Sequence, residues 1–111
     1  MAQISVNIEQ ALSGYLRDVV NDYRLGHVIL FGSTANGTTN RDSDIDLAIF
    51  SYDATDDNRL KIMADCWMKT TGYHLDIQPI VFSMEDYYDQ ENDFIQKEII
   101  AKGIELPLPV Q

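Results

Sequence analysis

Three aspartates stand where strands should carry apolar residues. Asp44 and Asp46 flank Ile45 at the start of an alternating apolar run, and Asp76 interrupts a later run between Leu75 and Ile77. Strand side chains alternate between faces, so Asp44 and Asp46 share a face, as do His74, Asp76 and Gln78. Like charges side by side repel unless something positive lies between them. Oxygen ligands of this kind suit a hard divalent cation, and Mg²⁺ is held by one or two carboxylates plus substrate phosphates. If the two strands pair, three carboxylates converge. Three acids can hold two metal ions roughly 3.5–4 Å apart, which would clamp the attacking and leaving oxygens of a phosphoryl or nucleotidyl transfer. Read as residues alone, the set equally fits an exposed sheet face, with Asp44 capping the strand entry from solvent.

A second feature precedes the acids. Gly32-Ser33 ends the apolar run 27–31. A glycine there lets the backbone approach a ligand, because no Cβ intervenes. The Ser33 hydroxyl and the N–H groups after it could hold phosphate oxygens, especially if a short helix starts at Thr34. No Gly-Lys-Ser/Thr follows, so this is not a Walker A loop. By itself the pair is an ordinary turn. The remaining acids need no special account. Asp18, Asp22 and Asp65 face away from helix stripes, and Asp53, Asp56 and Asp57 sit where a loop enters a helix, suiting capping and dipole roles.

The elements that must position these residues alternate in type. Ile8, Ala11, Leu12, Tyr15, Leu16, Val19, Val20 and Tyr23 draw one helical stripe, with Asn7 as N-cap and Gly26 as the stop. Strands are predicted over 27–31, 44–50 and 74–82. Pro79 puts the third at an edge or makes it irregular. Between the second and third strands lies a helix whose inward stripe reads Leu60, Met63, Ala64 and Trp67, with Met68 beside it, closed by Gly72. Ser83 and Asp86 form a capping-box start for a last helical stretch, 87–102, broken near Glu91 and Asn92 and ended by Gly103. This predicts an α/β (α+β) layer around a small mixed sheet of about three strands, in the order α-β-α-β-α-β-α. One domain is expected over 1–105, with a short extended tail over 106–111, where Pro107 and Pro109 cannot continue a helix.

The joint pattern is more specific than its parts. Gly32-Ser33, ten intervening residues, Asp44-Ile45-Asp46 and a third acid on a later strand together resemble the nucleotidyltransferase fold of the DNA polymerase beta superfamily. The closest likeness is to the minimal nucleotidyltransferases, small bacterial proteins often paired with a HEPN-domain partner. The resemblance implies that Gly32 and Ser33 contact nucleotide phosphates and that Asp44 and Asp46 bind metal. It implies that Asp76 completes the metal site and helps activate an acceptor hydroxyl. Two Mg²⁺ ions and ATP are the implied cofactor and donor. The implied reaction is attack of a hydroxyl on the α-phosphorus, with pyrophosphate leaving. Family members often carry a basic residue where Asn36 stands; here Arg41 is the nearest cation, a phosphate contact or simply a solvated loop arginine.

By the same analogy, the acceptor is a tyrosine on a HEPN ribonuclease toxin, which makes this chain the antitoxin of a type VII toxin-antitoxin system. Two alternatives stay open: a small-molecule, aminoglycoside-type nucleotidyltransferase, in which a homodimer could supply the missing wall, and a non-catalytic antitoxin acting by binding alone. Composition bears on partners. Eight Lys+Arg against eighteen Asp+Glu in 111 residues give a formal charge of −10, which argues against direct nucleic-acid binding and against an anionic lipid surface. Cys66 is the one cysteine, so an internal disulfide is ruled out. No signal peptide or membrane span is read, and the expected location is cytoplasmic.

Overall fold

The computed structural model describes residues 6–32, 45–73 and 75–109, with side chains from Ile8 onward. Helix α1 (Val6–Val20) buries Leu12, Tyr15, Leu16 and Val19, the predicted stripe. Asn7 lies within this helix rather than capping it. The helix also ends earlier than Gly26. The chain turns after Val20, with the Tyr23 N–H donating to the Val19 carbonyl, and Gly26 becomes part of strand β1 (Leu25–Phe31). The reason is tertiary: Leu25 pairs with Ser51, and a Cβ on Gly26 would collide with Met84.

Strand β2 (Ile45–Ser51) runs antiparallel to β1, and β3 (Ile77–Ser83) runs parallel to β2. A two-residue strand β4 (Ile104–Glu105) pairs with the other side of β1, giving the order β3-β2-β1-β4. This fourth strand falls where sequence periodicity shows only the end of a helix. Two residues have no periodicity to read, and pairing with Ile29 and Leu30 defines them. The helix expected between the first two strands lies outside the described residues.

Helices cover both faces. Ile45, Leu47 and Ile49 of β2 pack with α1 and with Ile62 and Cys66 of α2 (Arg59–Met68). On the other face, Ala48 and Phe50 pack with Met84, Ile95 and Ile99. These last come from the one-turn helix α3 (Met84–Tyr87), started by the Ser83–Asp86 capping box, and from α4 (Phe94–Ile100), a wider helix of π type. The break predicted near Glu91 and Asn92 separates α3 from α4.

The inward face of α2 differs from the predicted stripe. Leu60, Trp67 and Met68 are 64%, 44% and 69% exposed, whereas Ile62 and Cys66 are buried. Two apolar stripes compete on this short helix. The Tyr15 hydroxyl decides between them by donating to the Cys66 carbonyl at 2.8 Å, which turns that side toward α1. Burial pushes the Cys66 thiol up to about 12, so it stays protonated near neutral pH.

Strand β3 is an edge, as Pro79 required. The Ile45 N–H donates to the Asp76 carbonyl at 2.8 Å while Ile45 pairs with Ile77. In a parallel ladder that pattern turns even-numbered β3 backbone groups toward β2 and odd-numbered ones outward. Pro79, which has no N–H, therefore forfeits no ladder bond. Arg59 of α2 reaches the same open side, donating to the Val81 carbonyl at 3.2 Å and lying 5.8 Å from the centre of the Phe82 ring.

Candidate active site

Gly32 follows the last residue of β1 with φ = +78°, a left-handed conformation that side chains disfavour. A Cβ there would stand 2.5 Å from Oδ2 of Asp46. Glycine is thus needed twice, for the backbone turn and for the close approach of a carboxylate. Asp46 is the second residue of β2, and its Cα partners are Phe31 on one side and Gln78 on the other. Paired residues share a face, so Asp46, Phe31 and Gln78 line one side of the sheet end. Asp76, two residues before Gln78, lies on that side too, and its Oδ1 accepts from Gln78 Nε2 at 2.8 Å.

The electrostatics at this end are unusual for a surface. Partial burial holds the Asp46 carboxyl above the ordinary carboxylate range. Among the described residues Asp46 has no ion pair. Asp76 is exposed, and only one of its carboxylate oxygens is engaged by Gln78. Two carboxylates and an amide, all presenting oxygen or orienting it, suit a hard divalent cation better than a soft one. Among the described residues no group of three or more His, Cys, Asp or Glu is placed to hold a metal ion. Asp44, Ser33 and Arg41, expected in the site, lie outside the described residues, as do Asn36 and His74.

Two things here were not visible to sequence reasoning. One is the Gln78 hydrogen bond, whose only signal was the shared parity of residues 76 and 78. The other is a cavity of about 220 Å³ beside Gly32, lined by Phe31, Gly32, Phe94, Glu98 and Lys102. Glu98 and Lys102 are four residues apart, a recognisable ion-pair spacing. Nothing in the sequence tied them to Gly32, seventy positions away.

A glycine turn leading from one strand, and an acid on the next strand pressed against it, form the core of a recognised arrangement. The family model for the nucleotidyltransferase domain matches residues 12–105. The chain belongs to this family. The nucleotidyltransferase domain thus takes in every element from α1 to β4. Among solved structures, one described as a toxin-antitoxin with AMP-PNP aligns with a TM-score of 0.58 and 22% identity, covering 91% of this chain and 73% of that one. Two further matches are variants of the toxin-antitoxin MntA-HpeT. A tyrosine-to-alanine variant has a TM-score of 0.56 and 21% identity, covering 96% and 75% of the two chains. A double aspartate-to-glutamate variant has a TM-score of 0.55 and 20% identity, covering 91% and 73%. At these identities the likeness is one of fold. No curated protein matches the sequence. Among the described residues, no helix is long and apolar enough to cross a membrane.

Proposed function

We propose that this nucleotidyltransferase is an antitoxin that transfers AMP from ATP to a tyrosine hydroxyl of a HEPN-type toxin partner, in the cytoplasm. The observation that carries the reading is the placement of Asp46 and Asp76 on one side of the sheet end, with Gly32 against Asp46. The solved structures of similar fold are toxin-antitoxin complexes, one of them with AMP-PNP, which supports both the partner class and the nucleotide.

In this reading Asp46 and Asp76, with Asp44 two positions before Asp46 in the sequence, hold Mg²⁺. Bound there, Mg²⁺ would neutralise phosphate charge and lower the pKa of a coordinated hydroxyl. Gly32 leaves room for a phosphate beside the backbone, and Ser33 and Arg41 supply donors to it. Gln78 fixes the Asp76 carboxylate through Oδ1 and leaves Oδ2 toward the acceptor. The acceptor oxygen bonds to the α-phosphorus, the bond to the bridging oxygen of pyrophosphate breaks, and the hydroxyl proton passes to Asp76 Oδ2. The protein's contribution is then positioning and fixed charge.

The test is incubation of the purified chain with α-labelled ATP, Mg²⁺ and a HEPN-type partner. Label is expected on the partner with wild type and is expected to be lost with Asp44→Ala or Asp46→Ala. Variants that still neutralise the toxin without labelling it would favour antitoxin action by contact alone. Label passed to an aminoglycoside without any partner protein would favour a small-molecule acceptor.

A further inference from the structure

We infer that the cavity beside Gly32 receives the polyphosphate end of the donor nucleotide, and that Lys102 is its counter-cation. This deepens the function proposed above and rests on it.

The argument begins with position. Across the sheet end, Asp46 has Gln78 and Asp76 on its β3 side and Phe31 and Gly32 on its β1 side. If Asp76 faces the acceptor, the leaving pyrophosphate must depart from the opposite side of the α-phosphorus, because attacking and leaving oxygens lie roughly in line. That opposite side is the cavity lined by Phe31, Gly32, Phe94, Glu98 and Lys102.

Charge points the same way. A chain of net charge −10 that places two acids at its site needs cations where a triphosphate tail ends. Lys102 is the cation lining this cavity. Its ammonium lies 3.3 Å from both oxygens of Glu98, four residues earlier, and both side chains are more than half exposed. Such a pair is weak in water and readily exchanged for a phosphate.

The turn carrying Lys102 is held firmly. The Gly103 N–H donates to the Ile99 carbonyl at 2.8 Å, and a Cβ at Gly103 would collide with Ile29 and that carbonyl. The turn is therefore pressed onto β1, and β1 leads directly into Gly32. Phe94, 50% exposed and edge-on to Phe31 at 6.1 Å, forms the apolar wall. A lysine acting as a point charge on a flexible stem can follow phosphate oxygens through turnover.

The experiment is calorimetric titration of the full chain, with Mg²⁺ present, using AMP-PNP and, separately, AMP. Lys102→Gln is compared with wild type, with Lys102→Arg, and with Lys97→Gln, whose lysine on α4 pairs with Asp93 instead. Lys102→Gln is expected to weaken AMP-PNP about tenfold, as the loss of one exposed charge-assisted contact should. AMP affinity should be unchanged, Lys102→Arg should restore most of the AMP-PNP affinity, and Lys97→Gln should behave as wild type. Equal loss of AMP and AMP-PNP, or no loss with either, would overturn the assignment of Lys102. Wild type that binds neither nucleotide would overturn the function proposed above, and this inference with it.

Discussion

Replacing Gly32 with alanine should damage stability and catalysis together, by separable amounts. The left-handed backbone, at φ = +78°, disfavours an L side chain by about 1–2 kcal/mol. The added methyl carbon would also meet Asp46 Oδ2 at 2.5 Å, so the carboxylate must swing away or the turn must open. A partly exposed carboxylate can yield, which leaves the backbone penalty as the main effect on folding. With a urea m-value of about 1 kcal/mol/M for a small domain, the unfolding midpoint should fall by about 1–2 M. The displaced carboxylate acts on the reaction instead. A misplacement of about 1 Å in a catalytic group can lower rates about a hundredfold, so transfer should fall by that order under conditions where the variant is fully folded. Gly72→Ala is the control, since a Cβ there meets nothing within 4 Å. Urea midpoints by circular dichroism and initial rates of labelling give the two readouts. A Gly32→Ala protein that unfolds with the Gly72→Ala control and retains wild-type transfer would refute the close approach of backbone and carboxylate.

Two other substitutions test different parts of the structure. Burial raises the Asp46 carboxyl, so the folded chain keeps that proton to higher pH than the unfolded chain does. The associated stability is full below the unfolded pKa of about 4 and is lost as pH rises through the folded value. Metal-free Asp46→Asn should therefore unfold at higher urea than wild type at pH 7. That gap should close as pH falls below 4, and adding Mg²⁺ should stabilise wild type more than the variant. On α2, Ile62→Ala should destabilise by about 2–4 kcal/mol, as buried large-to-small changes do, whereas Leu60→Ala should stay within about 0.5 kcal/mol. Equal effects in urea melts would return Leu60 to the core.

How much was readable from sequence varies by element, for physical reasons. The first two strands were found to within two residues, because short β-branched runs bounded by glycine and acids have few other solutions. Pro79 correctly marked an edge, since only an outward-facing position tolerates a missing N–H. The pairing of Asp46 with its neighbours followed from strand alternation alone, once β2 and β3 were adjacent. Local pattern failed where two patterns were equally good. On α2, the stripe through Leu60 and Trp67 is as apolar as the one through Ile62 and Cys66, and the Tyr15 hydroxyl, fifty-one positions away, chose. The ends of α1 and the existence of β4 were likewise set by partners distant in sequence. The cavity at Gly32 was hidden for the same reason, being assembled from the two ends of the chain.

The outer margin of β3 limits how another protein can attach. One backbone position there, Pro79, has no hydrogen to offer, and a neighbouring oxygen, on Val81, is already taken by Arg59. A visiting polypeptide that tried to zip on as an additional ribbon would find two successive outward rungs missing. Recognition along that border must therefore be read from side chains and their charges, which makes it selective for the identity of a visitor rather than for any extended segment that drifts past.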